Sequence, residues 1–210
     1  MYRTELKGRV AVVLGGADGV GAAVCRLLAA RGARIAVIGD DEAELQDLVD
    51  ELRWVGADAV GIVSTGVDAA SVHAGVLSEV GAPDLLFVLP CMSGAGGDFR
   101  LSVDSGLTAT FEALQAFVPS MAEARTGAVV TVAPFGTDAA TSAVGGGVTA
   151  LTQHVAREVA GSGVRANVVS WTPQAERVED VAFAAVYLAS DASATMTATT
   201  LDVAGTYSRL

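Results

Sequence analysis

The residues of this 210-residue chain whose types and spacing best suit chemistry are the glycines of one turn. The apolar run Val10–Leu14 leads into Gly15, Gly19 and Gly21, spaced Gly-x3-Gly-x-Gly, and an alanine-rich helical pattern follows. In such a turn Gly15 allows a sharp bend, Gly19 lets backbone N–H groups approach a pyrophosphate, and Gly21 lets the helix pack on the sheet. The helix N-terminus adds N–H donors and a partial positive charge. The pattern predicts a phosphate cradle, although a strand-to-helix bend without a ligand uses the same residues.

The elements that must position this turn alternate between strands and helices. Short apolar runs are separated by helical patterns of ten or so residues, an order typical of a parallel, doubly wound α/β sheet. The expected strands cover residues 10–14, 34–39, 59–63, 84–89, 128–132, 164–169 and 200–203. The expected helices cover residues 22–31, 45–52, 69–80, 105–125, 148–160 and 179–190. Pro119 implies that the helix at 105–125 is kinked or divided into two helical pieces. We therefore expect a single Rossmann-like domain over residues 1–210, with about seven strands and helices on both faces.

The composition limits the classes of function. A net charge of −11 argues against nucleic acid or an anionic membrane as a partner. Cys25 and Cys91 have no paired spacing, which fits buried thiols in a reducing compartment. No apolar signal segment opens the sequence, and no apolar run approaches the length of a membrane span. We expect a soluble, cytoplasmic protein and assign it no metal site.

Several local sequences resemble the short-chain dehydrogenase/reductase family. Residues 14–21 resemble the family's Thr-Gly-x3-Gly-x-Gly turn, with Leu14 at the threonine position, and residues 117–121 are similar to the Pro-x-Met end of its central interface helix. Residues 156–169 look like the helix and strand after its active site, and residues 179–203 look like its C-terminal helix and strand. The resemblance spans essentially the whole chain. It implies the Rossmann-like fold, a nicotinamide dinucleotide as cofactor and an oxidoreductase ancestry.

The resemblance also implies where a dinucleotide would bind. The residues at those positions are Gly15, Asp18, Gly19, Val20, Gly21 and Asp40. Asp40 follows the second strand, one residue after the family's ribose-binding position at Gly39, although Asp40 or Asp41 could instead cap the next helix. Because Asp18 and Asp40 would repel a 2′-phosphate, NAD is favoured over NADP.

The four catalytic positions that the resemblance implies carry unsuitable residues. The family uses a tyrosine for proton transfer, a lysine that lowers the tyrosine pKa and binds the ribose, a serine that orients the substrate, and an asparagine that holds a water. In that order the positions fall on Thr141, Gly145, Ala133 or Pro134, and Gly106. The chain's tyrosines are Tyr2, Tyr187 and Tyr207, its lysine is Lys7, and its histidines are His73 and His154. None of these is expected at the mouth formed by the carboxyl ends of the strands, so we assign no catalytic residue.

The surroundings of the implied cofactor groove differ from the family as well. Val88–Cys91 stands where the family has an asparagine-rich turn, and Trp171–Thr172 stands where it has a Pro-Gly facing the nicotinamide. Three consecutive glycines at 145–147 disfavour a helix, so we expect that helix to begin only near Val148. The loop before it and the lid region Pro173–Val178 are shorter than in the family. The pattern indicates a scaffold with shortened active-site and lid loops.

Three functions remain open. The first is a catalytically inactive structural or regulatory subunit, in a homo-oligomer or in a hetero-oligomer with a catalytic paralogue. It draws on the family's pairing helices, at residues 105–125 and 148–160, and on a second interface formed by the last helix and strand. The second is an NAD(H)-dependent oxidoreductase in which Ser142, Thr141 or Thr137 polarises a carbonyl. The third is a sensor that binds NAD(H) without reacting.

Overall fold

The strands form one continuous parallel sheet. The computed structural model describes residues 6–17, 19–64, 68–90, 98–136, 138–172 and 177–203. Its strands are β1 Val10–Leu14, β2 Arg34–Gly39, β3 Ala59–Val63, β4 Leu85–Val88, β5 Gly127–Pro134, β6 Val164–Trp171 and β7 Thr200–Val203. They lie in the order β3-β2-β1-β4-β5-β6-β7, and every neighbouring pair is parallel. The expected Rossmann-like, doubly wound α/β sheet is confirmed.

Helices cover both faces of this sheet. They are α1 Gly19–Ala29, α2 Glu42–Trp54, α3 Ala69–Glu79, α4 Phe99–Ser102, α5 Ala109–Ala124, α6 Ala139–Glu158 and α7 Val178–Ala189. On one face α1, α2 and α7 share a core with the sheet, and on the other face α3, α5 and α6 form a second core. The central strands β1, β4 and β5 are buried on both sides, which is why they read as continuous apolar runs rather than alternating ones. No helix in the described ranges combines the length and the apolarity that crossing a membrane requires.

Helix α6 begins nine residues earlier than its glycines predict. It starts at Ala139 instead of Val148, and Gly145, Gly146 and Gly147 all lie inside it. Asp138 caps its N-terminus by accepting a hydrogen bond from the Thr141 N–H. The prediction of a late start was wrong because helix propensity is a weak term that a cap and close packing override.

The long helix before β5 begins with an irregular segment and continues past its proline. A π-helical segment, Val103–Thr108, joins α4 to α5, whereas Pro119 lies inside α5 and the helix continues to Ala124. The Thr110 hydroxyl donates to the Gly106 carbonyl oxygen at 2.6 Å within this region. Gly106 is therefore part of a wide helical turn that borders the mouth.

Candidate functional site

The glycine turn has the bend and the close packing expected from the sequence. Gly15 has φ of +76°, and a Cβ there would overlap the Leu89 carbonyl oxygen. A Cβ at Gly21 would collide with the backbone of Gly15, so α1 packs tightly against the end of β1. Gly19 has φ of +49°, and a Cβ at this position would meet nothing within 4 Å. Among the described residues, the turn is closed on its sheet side and open at Gly19.

The other predicted cofactor residues occupy different environments. Asp41, and not Asp40, caps α2, because its carboxylate accepts two backbone N–H bonds from the first turn at 2.9 and 3.0 Å. Asp40 is exposed beyond the end of β2 and is free of that capping role. The Val20 side chain is buried, so Val20 can meet a ligand only through its backbone. Asp18 lies outside the described residues. The binding roles of these residues stay predictions.

At the position of the family's tyrosine, the Thr141 hydroxyl is committed to a helix cap. Its oxygen donates to an Asp138 carboxylate oxygen at 2.7 Å, and the Thr141 N–H donates to the other oxygen at 2.9 Å. The bond from the Thr141 N–H, which has the larger effect, and the bond from its hydroxyl hold the pKa of the Asp138 carboxyl below its usual value. The carboxyl therefore stays ionised near neutral pH and cannot act as a proton donor. The sequence contains a signal for this cap, Asp-x-x-Thr at residues 138–141. The three glycines that follow it favoured a later start of the helix instead.

The second hydroxyl candidate, Ser142, is also committed to a hydrogen bond. The Ser142 hydroxyl donates to the Gly136 carbonyl oxygen at 3.1 Å, which ties Ser142 to the loop after β5.

Some residues named in the sequence analysis lie outside the described residues, among them Thr137 and Cys91. Of the lid region, only Arg177 and Val178 are described, and Val178 is the first residue of α7.

At the position of the family's lysine, the backbone of β5 occupies the space that a side chain would need. A Cβ on Gly145 would overlap the Pro134 carbonyl oxygen and would lie 3.4 Å from Cδ2 of Phe135. The next residue provides a contrast, since a Cβ on Gly146 would meet nothing within 4 Å. Pro134 itself, one of the two candidates for the serine position, has no hydroxyl. Helix α6 has therefore approached β5 more closely than any residue except glycine permits.

An apolar cluster fills the space beneath the mouth. Its members, none of which is ionisable, are Val103, Leu107, Ala133, Phe135, Val144, Val148 and Val168. At this end of the sheet, the β5–β6 ladder continues to the pair Pro134 and Trp171. Beyond that pair, Phe135 donates its N–H to the Trp171 carbonyl oxygen at 2.8 Å. The strands thus stay paired as far as the position where the family has its Pro-Gly.

The described tyrosine and lysine lie away from the mouth. Tyr187 is near the end of α7, and at that end Arg165, from the start of β6, donates to the Leu188 carbonyl oxygen at 2.9 Å. The start of a parallel strand lies at the edge of the sheet opposite the mouth. Lys7 is exposed before β1. Tyr2 and Tyr207 lie outside the described residues.

The two histidines have structural partners on the helices. His154 lies on the exposed side of α6 with its Nε2 at 3.3 Å from a Glu158 carboxylate oxygen. His73 lies between α3 and α5, where its Nε2 is 3.1 Å from the Ser120 hydroxyl, and burial lowers its pKa. Within the described residues, neither histidine forms a hydrogen bond or an ion pair with a residue at the four implied catalytic positions.

The described residues retain some of the features by which the family binds a nicotinamide dinucleotide. The open side at Gly19 and the N-terminus of α1 suit the pyrophosphate, since helix N-termini favour anions. At the other end, Gly145 stands where the family has its ribose-binding lysine, and a Cβ there would overlap the Pro134 carbonyl oxygen. The described residues therefore keep the features that suit the pyrophosphate and lack the lysine that binds the ribose.

Comparison with known proteins gives a consistent family assignment. A family model described as short chain dehydrogenase matches residues 9–175. The subunit BbsC of (2S)-[(R)-hydroxy(phenyl)methyl]succinyl-CoA dehydrogenase from Thauera aromatica is 31% identical over 240 aligned positions, covering 97% of this chain and 96% of BbsC. D-threitol dehydrogenase from Mycolicibacterium smegmatis is 30% identical, with 97% and 94% of the two chains covered. A crystal structure of a hydroxysteroid dehydrogenase from Escherichia coli shares the fold, with a TM-score of 0.89 at 19% identity over 97% of this chain and 98% of that one.

Proposed function

This chain belongs to the short-chain dehydrogenase family, and from that premise we propose that it is a catalytically silent subunit of a short-chain dehydrogenase assembly. The observation that carries the proposal is the contact between α6 and β5 at Gly145. At Gly145, where the family has its lysine, the Pro134 carbonyl oxygen lies where a Cβ would stand. A side chain therefore cannot be added at this position unless the helix or the strand moves. Both relatives are named as dehydrogenases. The proposed loss of catalysis therefore depends on the residues of this chain and not on its relatives.

Hydride transfer to or from an alcohol needs a group that gives or takes the hydroxyl proton. An effective general acid has a pKa near the working pH, and a neighbouring cation usually lowers the pKa of a phenol toward that range. The Thr141 hydroxyl ionises far above it and already donates to Asp138. The cation has no counterpart in the described part of the mouth, where Gly145 replaces the lysine. This argues against the alternative of an oxidoreductase that uses Thr141 or Ser142.

A role as a subunit is supported by the name of one relative and by the length of the chain. BbsC is named as a subunit of a dehydrogenase. Its alignment extends over 240 positions, more than the 210 residues of this chain, which fits shortened loops. The partner we propose is a catalytically complete paralogue, and a second copy of the chain is the alternative.

The face of α5 and α6 is the surface we propose for this partner. A shallow groove of about 390 Å³ is lined there by Leu107, Thr108, Phe111, Gly147 and Leu151. None of these residues carries a charge, and the Phe111 side chain is 43% exposed. Apolar patches of this kind on a surface commonly mark association sites. A second apolar surface lies on α7, where Phe183 and Tyr187 are exposed.

The proposal is tested by co-expression of the chain with catalytically complete members of the family from the same genome. We expect a stable mixed oligomer by light scattering, turnover that depends on the partner's tyrosine, and no turnover by this chain alone. A chain that stays monomeric at micromolar concentration, both alone and with every candidate, contradicts the subunit role. Turnover of an alcohol or carbonyl panel by the chain alone with NAD(H), abolished by Thr141→Ala, contradicts the silent site.

A second candidate is nucleotide binding without reaction, which the open side at Gly19 favours. In that role an NAD(H) molecule would place its pyrophosphate at the turn, and the exposed Asp40 would disfavour NADP. A thermal-shift titration with the four nicotinamide dinucleotides tests it, because a ligand at a hundred times its Kd stabilises by about 2.7 kcal/mol. Flat titrations with all four would exclude this role.

We also propose a reducing, cytoplasmic location, because Cys25 is a free thiol and not half of a disulfide. Cys25 is fully buried in the core, and burial raises the pKa of its thiol to about 12. A thiol with so high a pKa is unreactive in disulfide exchange. Labelling of the folded protein with a thiol reagent should therefore leave Cys25 unmodified until the chain is unfolded.

A further inference from the structure

Strand β3 forms one edge of the sheet, and half of its backbone groups point away from the neighbouring strand. At its end the Ser64 N–H donates to the Gly39 carbonyl oxygen of β2 at 2.8 Å. Because the backbone groups of a strand alternate in direction, this bond leaves those of Ala59, Gly61 and Val63 directed outward. Within the described residues, β3 has no strand on its outer side.

Only the first outward residue of this edge is covered. Arg53 on α2 donates its Nε–H to the Ala59 carbonyl oxygen at 2.9 Å. In the described part of the chain, no hydrogen bond uses the outward groups of Gly61 or Val63. Gly61 is exposed, and Val63 is 47% exposed. Natural edge strands commonly carry a charge, a proline or a bulge that prevents pairing, whereas residues 59–63 contain none of these.

The sequence of β3 is complementary to itself in an antiparallel pair. In a two-fold arrangement centred on Gly61, the positions that meet are 61 with 61, 60 with 62, and 59 with 63. None of these positions carries a charged or polar side chain, so no like charges meet across the strands. The outward N–H and carbonyl groups of the two Gly61 residues would exchange two hydrogen bonds. A second copy of the chain therefore matches this edge without help from another protein.

The charges beside the start of the strand are already engaged within the chain. Asp58, the residue before β3, forms an ion pair with Arg34 at 2.6 Å. Arg53 is bound to the strand itself through the Ala59 carbonyl oxygen. These residues thus leave no unpaired charge on the edge, although the chain as a whole carries a net charge of −11.

We infer that β3 is an interaction surface for a second copy of this chain, which continues the sheet in an antiparallel pair. The contact involves five residues of each strand and is therefore small, so it forms at higher concentrations than the contact at the groove between α5 and α6. The inference goes beyond the proposed function, because the edge and the groove are formed by different elements. An assembly formed at the groove can thus be joined to a second one at β3.

The inference is tested in the Phe111→Asp variant, which removes the groove contact, by sedimentation velocity between about 5 µM and about 0.5 mM. We expect a monomer at the low concentration and a dimer at the high one. Val63→Lys added to this variant should weaken the dimer by at least about tenfold, because a charge on an edge strand opposes pairing. Leu77→Lys is the matched control, since Leu77 lies on α3 and is 42% exposed. A monomer at every concentration, or equal effects of the two lysines, would overturn the inference.

Amide hydrogen exchange in the same samples locates the contact without a substitution in β3. The Val60 and Ile62 amides face β2 and should be protected at every concentration. The Gly61 and Val63 amides should exchange at least about tenfold more slowly at the high concentration than at the low one. Unchanged exchange at Gly61, or protection that appears only when a catalytic paralogue is added, would overturn the second copy as the partner at this edge.

The two proposals fail separately. The subunit role is tested at micromolar concentration by adding the paralogue to the unsubstituted chain, whereas the β3 contact is tested at high concentration in the chain alone. Loss of the mixed oligomer would therefore leave the exchange result at Gly61 as it stands.

Discussion

A single hydrogen in place of a side chain, at Gly145, decides how closely α6 approaches β5. Gly145→Ala should destabilise the protein by about 1–3 kcal/mol, because its Cβ would overlap the Pro134 carbonyl oxygen and force the helix and strand apart. Urea denaturation monitored by circular dichroism measures the change in the free energy of unfolding.

Gly146→Ala is the matched control for this substitution. Gly146 occupies the next position in the same helix, and its Cβ would meet nothing within 4 Å. Alanine there should stabilise the protein by up to about 1 kcal/mol through helix propensity alone. If the two alanine variants change stability in the same direction, the contact at Pro134 does not limit the packing of α6.

The cap at the start of α6 makes a prediction about pH. The Thr141 N–H and hydroxyl both favour the ionised Asp138, which lowers its pKa. The bonds therefore contribute fully to stability above about pH 4, the ordinary carboxyl pKa, and their contribution is lost as the pH falls through the lowered pKa of the folded state. Thr141→Val should move the Asp138 pKa upward, since it removes the hydroxyl bond and keeps the N–H bond, whereas Thr141→Ser should leave the pKa nearly unchanged. An NMR titration of the carboxyl measures this, and equal midpoints in all three proteins would show that the hydroxyl bond does not form.

At the scale of elements, the end of α7 is held to the start of β6 by one side chain. The Arg165 guanidinium donates at 2.9–3.4 Å to the carbonyl oxygens of Leu188, Ala189, Ser190 and Met196 and to the hydroxyl of Ser193. Burial lowers the pKa of this guanidinium, but an arginine remains charged at any ordinary pH. Lysine cannot reproduce the planar fork.

Arg165→Lys should therefore lower the free energy of unfolding by about 2 kcal/mol, the scale of bonds that involve a charged donor. The exposed Arg157 on α6 provides the control, because its change to lysine should stay within about 0.5 kcal/mol. Chemical denaturation of both variants measures the difference. Equal stabilities would mean that the end of α7 is held by its other contacts.

Most of the elements could be predicted from the sequence because their signals are local. The apolar runs that predict β2 and β3 match the two strands to the residue, and the predicted bounds of α3 and α7 agree with the structure within one residue. The start of α6 could not be predicted, because it depends on how closely Gly145 packs against β5, a contact between residues far apart in the fold. The same holds for the approach of Leu89 to Gly15. The substituted positions could be predicted from the resemblance, whereas the close contact between α6 and β5 could be seen only in three dimensions.

At the scale of the whole molecule, the net charge of −11 and the exposed apolar side chains point in the same direction. The charge repels nucleic acid and anionic membranes, while the uncharged groove between α5 and α6 favours a protein partner. An acidic surface also opposes self-association unless an apolar contact outweighs the repulsion. The position of the groove therefore decides where a substitution should matter for assembly.

Phe111→Asp should disrupt the oligomer, whether mixed or homomeric. The substitution replaces the aromatic ring of Phe111, which the partner would bury, with a charged carboxylate. An aromatic side chain at the centre of an interface commonly contributes about 2 kcal/mol or more, which corresponds to at least about a thirtyfold weaker association. The folded chain itself should be little affected, since Phe111 is 43% exposed. Trp54→Asp is the control, because Trp54 at the end of α2 is 90% exposed and far from the groove in the fold. Sedimentation velocity over a concentration series measures both variants. Assembly that survives Phe111→Asp but is lost on Phe183→Asp would move the interface to the surface of α7.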